Sequence, residues 1–119
     1  MKHEIMWWMS RLTIMLTSLF LSFSLAAQAY ATEVTMGSNG NLVFEPNDIT
    51  INAGDTVTFT NGALPPHNMI VKDHPELSHG DLAFATGDSF DVTFPDAGDF
   101  EFQCDPHAGA GMKGVIHVQ

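Results

Sequence analysis

Cys104, His107 and Met112 fall within nine residues of one another in the stretch FQCDPHAGAGMKG. A thiolate, an imidazole and a thioether at that spacing form a ligand set whose softness suits copper. A fourth ligand has to come from elsewhere in the chain, and His67 in LPPHNMIV is the best candidate. One upstream His followed by Cys-x2-His-x4-Met matches a mononuclear blue-copper site. Such a site sets two imidazoles and a thiolate around the metal with a distant thioether, and it serves one-electron transfer.

Each of these residues alone has a plainer explanation. Cys104 is the only cysteine, so no intramolecular disulfide can form. A single free thiol is either a buried small hydrophobe or a reactive or ligating group. Met112 alone would be core filling, and His107 alone a loop histidine. Pro106, Gly109, Gly111 and Gly114 punctuate the stretch, and packing does not call for three ligand types among so many chain breakers. A loop bent to satisfy metal geometry does. The remaining histidines are weaker candidates. His3 lies in the N-terminal segment, His74 and His79 lie in a polar stretch and are expected to be solvated, and His117 alternates away from the apolar face of its segment.

Short segments with a period of two must position the ligands. Ile49 and Ile51 alternate with Thr50 and Asn52, and Val57 and Phe59 alternate with Thr56, Thr58 and Thr60. Phe90, Val92 and Phe94 follow the same rule, as do Phe100, Phe102 and Cys104, while Ile116 and Val118 flank His117. Gly37-Ser38-Asn39-Gly40, Asn52-Ala53-Gly54-Asp55, Pro95-Asp96-Ala97-Gly98 and Ala110-Gly111 supply turns between them. This pattern predicts an all-β sandwich or barrel. The stretch from Pro75 to Gly87 lacks alternation and is expected to be a loop with one helical turn. Alternation puts Cys104 on the inward face with Phe100 and Phe102 at the end of a strand. It puts His67 on a face with Met69 and Val71 at the start of another. If those strands are neighbours, thiolate and imidazole meet at one rim of the core, and the loop from Asp105 to Gly111 returns His107 and Met112 to it.

The first 31 residues have the organisation of a secretory signal peptide. Lys2 and Arg11 precede an apolar or hydroxylic run from Leu12 to Ala27, and Ala29-Tyr30-Ala31 gives a small-x-small cleavage pattern, with Ala27-Gln28-Ala29 as a second possible site. The run of about 16 residues is shorter than the ~20 needed to span a bilayer, so cleavage is expected rather than anchoring. Residues 32–119 then form one small domain, near the size at which a single core is only just sufficient. Without disulfides, a metal that closes the structure fits that size. Of the 14 acidic residues, 13 follow Ala31, against only Lys72 and Lys113, giving this segment a net charge of −11 with His neutral. That sign excludes nucleic-acid binding, which needs Lys and Arg to neutralise phosphate. It suits a basic protein partner attracted over long range.

CDPHAGAGM, PPHN, LVFEP, NAGDTVTF and LSH, spread from about Glu33 to Val118, resemble the plastocyanin family of small copper proteins. The Cys-x2-His-x4-Met spacing also occurs in pseudoazurin-like carriers, but PPHN together with GAGM favours the plastocyanins. The resemblance implies an eight-stranded Greek-key β-sandwich of cupredoxin type and one copper ion cycling between Cu(II) and Cu(I). It implies the ligands His67, Cys104, His107 and Met112, with Asn68 tying the first ligand's strand to the ligand loop. By the same resemblance His107 is the exposed ligand, ringed by Leu42, Ala63, Leu64, Pro65, Pro66, Ala108 and Ala110. It also implies a monomeric electron carrier, not an enzyme, that docks transiently with membrane complexes, taking electrons from cytochrome f and passing them to photosystem I. The location implied is the thylakoid lumen, and the export signal, bacterial in style and cyanobacterial-like, suits lumenal or periplasmic delivery.

The chain departs from that family in two places. Gln103 stands where the family usually has Tyr before the ligand Cys, and the stretch after PHNMIV keeps only Asp73, Glu76 and Asp81 of an acidic cluster. Two rivals come from other classes. A copper-delivery protein would expose Met or Cys clusters, whereas residues 32–119 hold only Met36, Met69 and Met112. A copper enzyme would need a second metal centre, for which no His cluster is left.

Overall fold

The computed structural model describes residues 31–119. The expected export signal lies outside them, except for Ala31 at its end. Nine strand segments follow in order: β1 (Thr32–Met36), β2 (Phe44–Glu45), β3 (Asp48–Ile51), β4 (Thr56–Asn61), β5 (His67–Val71), β6 (His79–Ala83), β7 (Ser89–Thr93), β8 (Gly98–Gln103) and β9 (Lys113–Val118). Three short 3-10 turns interrupt them at Ser38–Gly40, Pro75–Leu77 and Asp105–Ala110.

Two sheets form, one ordered β2-β1-β4-β7 and the other β3-β9-β8-β5-β6. β2 and β3 are parts of one passage that changes sheets at Pro46 and Asn47, where a proline without an N–H cannot continue a ladder. The nine segments are therefore eight passages, in the Greek-key sandwich the sequence resemblance implies. β1 runs parallel to β4 and β3 parallel to β9, while the remaining pairs are antiparallel.

Alternation sorts the side chains as the physical argument requires. In β4, Val57, Phe59 and Asn61 are buried while the threonines between them are half-exposed. On the outer side, Thr56 Oγ1 meets Thr93 Oγ1 at 2.8 Å and the Thr58 hydroxyl donates to Asp91 at 2.7 Å, cross-strand pairs that hold β4 to β7. Phe44, Phe59 and Phe102 fill the space between sheets, with Phe44 and Phe102 edge to face at 4.8 Å and Phe59 and Phe102 at 5.8 Å. The core ends at one rim in Met69, Cys104 and Met112, all buried.

The stretch from Pro75 to Gly87 corrects the sequence expectation of a loop. Its one turn, Pro75–Leu77, is present, but β6 follows it and pairs with β5 as an edge strand. Alternation is hidden there because an edge strand presents little to the core and its pairing shifts register between His67 and Met69. Gly80 and Asp81, poor strand formers, occupy its centre. His74 and His79 are likewise not simply solvated. The His79 ring stacks on Phe90 at 3.8 Å and 9°, and His74 meets Phe100 edge to face at 5.1 Å.

His117 lies on the outer face of β9, as its alternation predicts, held between carboxylates of both neighbouring strands. Nδ1 is 2.7 Å from Asp99 Oδ1 on β8, and Nε2 is 3.1 Å from Asp48 Oδ1 on β3. The hydrogen bond to Asp99, with the charge of both carboxylates, raises its pKa above the ordinary 6.5. A raised folded-state pKa means that the stabilisation is complete below the unfolded value and is lost as pH rises through the folded one. Urea midpoints should therefore fall from pH 6 to pH 8.5 by more in the wild type than in His117→Gln. Parallel pH dependences would mean that the clamp contributes nothing.

Candidate metal centre

Three chain segments converge at the rim. Pro65 and Pro66 cannot donate to a ladder, so β5 begins only at His67, at the sheet's end. β8 ends at Gln103, which delivers Cys104 from the inward face. Pro106 then opens the turn Asp105–Ala110, and Gly111, with φ of 86°, closes it in the left-handed region that suits glycine. Main-chain bonds pin the loop onto itself: Cys104 N–H to Met112 O at 3.0 Å, Met112 N–H to His107 O at 3.3 Å, and His107 N–H to Cys104 O at 3.1 Å. Met112 is thereby fixed beside Cys104 and fully buried.

Cys104 Sγ lies 3.7 Å from His67 Nδ1 and 3.5 Å from His107 Nδ1. The three ligand atoms all lie within 4.8 Å of one another. Metal–ligand bonds of roughly 2.0–2.3 Å at open angles set ligand atoms about 3.5–4 Å apart, so this spacing fits one ion held by N, N and S. Among the described residues no other group of His, Cys, Asp or Glu forms such a cluster.

Hydrogen bonds set the orientation of the first imidazole. His67 Nε2 lies 2.7 Å from Ala63 O. A carbonyl only accepts, so Nε2 carries the proton and Nδ1 turns its lone pair toward the sulfur. That contact depends on a glycine. A Cβ on Gly37 would fall 1.9 Å from Ala63 O and 2.6 Å from His67 Nε2. Sequence reasoning reads Gly37 only as part of a turn and Ala63 only as an apolar rim residue. Neither has a local signal that points to His67. Asn68 makes the tie between strand and loop: its Oδ1 accepts from the Asp105 N–H at 2.8 Å, while its Nδ2 donates to Gly80 O at 3.2 Å.

Electrostatics favour a neutral imidazole and demand a cation for the thiolate. Burial, and then the neighbouring His67, lower the pKa of His107. Burial raises that of Cys104. Backbone hydrogen bonds from Asn68 and His107 oppose the rise, and the charge of Asp105 adds to it. A thiolate in this setting is sustained by a bound metal rather than by solvent. The two imidazoles differ in access, His67 being fully buried and His107 half-exposed. Of the residues expected around His107, Leu64, Pro65 and Ala110 are exposed, and Leu42, Ala63, Pro66 and Ala108 are half-buried. Gln103 is partly buried and donates from Nε2 to Asp105 Oδ1 at 3.1 Å.

A two-sheet Greek-key sandwich with a buried thiol between two imidazoles at one rim defines a cupredoxin. The pattern of the copper binding proteins of the plastocyanin/azurin family matches residues 30–119, and the chain belongs to that family. It is 44% identical to the chloroplastic plastocyanin of Tetradesmus obliquus over 106 residues, covering 82% of this chain and 73% of that protein. It is 48% identical to the plastocyanin of Scenedesmus fuscus over 96 residues, covering 72% and 97%. Among solved structures, the oxidised plastocyanin of Dryopteris crassirhizoma aligns with a TM-score of 0.66 at 30% identity, covering 74% of this chain and all of that one. The amicyanin of Paracoccus versutus aligns at 0.62 and 26%, covering 79% and 86%. The protein is thus a copper-dependent one-electron carrier and not an enzyme.

Proposed function

We propose that residues 32–119, once the preceding segment is removed on export, carry single electrons from cytochrome f to photosystem I in the thylakoid lumen. In this reading His67, Cys104, His107 and Met112 hold the copper. The observation that carries it is the convergence of His67, Cys104 and His107 ligand atoms within 4.8 Å, with Met112 buried and bonded through its backbone to Cys104. Copper supplies the couple between Cu(II) and Cu(I), which prefer different geometries.

The chain's contribution is to hold one compromise arrangement for both states. His67 is fixed by Ala63 O, Cys104 by its place at the end of β8, and the loop by Asn68 and its own backbone bonds. Little then has to move when the charge changes. Burial of Cys104, His67 and Met112 excludes water. His107 alone among the four reaches the surface, so electrons pass by its edge. The apolar side chains around it, Leu64 foremost, let a partner approach closely.

Leu64→Glu should slow the second-order reaction with cytochrome f or photosystem I by about tenfold or more, because a charge would be trapped at the contact. Gln103→Ala should change it less than about twofold, since no aromatic ring stands there to carry contact or coupling. Added salt should slow both reactions by screening the acidic surface from a basic partner. Stopped-flow rates, with spectrum and potential checked for each variant, decide the matter. A large loss in Gln103→Ala beside an unchanged Leu64→Glu would move the exit route to the β8 face.

A further inference from the structure

Leu82 and Phe84 are left exposed at 41% and 66%, on either side of Ala83, which packs against the core. A strand that turns one small residue inward turns its two large neighbours out. Ala83 pairs directly with the ligand residue His67 across β5 and β6, so Phe84 stands one residue from the rim that holds the metal site. Its presentation is built rather than incidental. The buried Asn61 side chain donates to Ala83 O at 3.3 Å and to Ala85 O at 2.9 Å, clasping the main chain on both sides of Phe84. The Thr86 hydroxyl adds a bond to Gly62 O at 3.1 Å, joining this segment to the one that leads to Leu64.

We infer that Leu82 and Phe84 are a docking anchor beside the His67 end of β5, which takes an apolar patch edged with basic side chains on the macromolecular redox partner. This rests on the proposed exchange with such a partner. Charge chooses the occupant. From His79 to Thr93 the chain carries Asp81, Asp88 and Asp91 and neither Lys nor Arg. A second copy of this chain would set those carboxylates against their own kind, whereas a basic edge is attracted to them. A phenyl ring held by a fixed backbone loses little entropy on burial, which makes it an effective anchor.

The copper-loaded protein should be compared with Phe84→Ser, Phe84→Leu and Leu82→Ser in stopped-flow reactions with soluble cytochrome f, with photosystem I particles, and with hexacyanoferrate. Both side chains are exposed, so the fold should persist, and an unchanged visible spectrum and potential would show it. Phe84→Ser should slow at least one protein reaction by about tenfold while hexacyanoferrate changes less than about twofold, and Phe84→Leu should keep most of the wild-type rate. Wild type reacting fast and Phe84→Ser equally fast with both proteins would overturn the anchor alone. Wild type itself slow with both would remove these partners, and the anchor with them. Sedimentation showing a wild-type dimer that Phe84→Ser dissolves would assign the surface to a second copy and overturn the proposal.

Discussion

Cys104→Ser should abolish the intense blue colour of the Cu(II) protein and weaken copper binding by well over about a hundredfold, more than the 10–100-fold typical of losing an outer partner. The colour arises from charge transfer out of the thiolate, and a hydroxyl is a hard, poorly ionised substitute. Cys104 is fully buried with an imidazole nitrogen on two sides, at 3.5 and 3.7 Å. No other thiol exists to replace it. Met112→Leu should behave differently, keeping a blue site with a shifted potential, because a thioether at Met112 would bind copper weakly and tune the metal more than hold it. Absorption spectra and copper titrations of both variants test the order of ligands. Loss of copper in Met112→Leu beside a blue Cys104→Ser would reverse it.

Gly37→Ala should destabilise the protein by about 3 kcal/mol and weaken copper binding by roughly 10–100-fold. Two effects combine. Gly37 has φ of 80°, which an L side chain adopts at a cost of about 1–2 kcal/mol. The added methyl would also lie 1.9 Å from Ala63 O, so the carbonyl that orients His67 must move. Gly40 separates the two effects, since it has φ of 73° and a methyl added there would meet nothing within 4 Å. Gly40→Ala should show the conformational cost alone and bind copper normally. Urea denaturation of the metal-free variants and copper titration of each give the comparison. Equal losses at the two positions would mean that the approach of Gly37 to Ala63 does not govern the site.

The amino-acid sequence by itself determined the chemistry and the class of fold. Softness and spacing of Cys104, His107 and Met112 are local properties, readable without neighbours. The period of two in segments such as Val57–Phe59 and Phe100–Cys104 records which side chains face a core. What lies between distant segments was not legible. No pattern in LSHGDLAFATG marks β6 as a strand, because an edge strand owes its form to the ladder beside it rather than to alternation of its own. His79 resting on Phe90 and His117 bridging Asp48 and Asp99 depend on which strands become neighbours. Gly37 reads as a turn until β1 and β4 pair and carry it against Ala63. The spacing of His67 and His107 treats them as equivalent imidazoles; the family resemblance implies that His107 is the exposed one, and packing supplies the physical reason. β5 sinks the first beneath Ala63 and Gly37, while the turn after Cys104 leaves the second at the surface, since a loop closed on its own backbone bonds has no sheet above it.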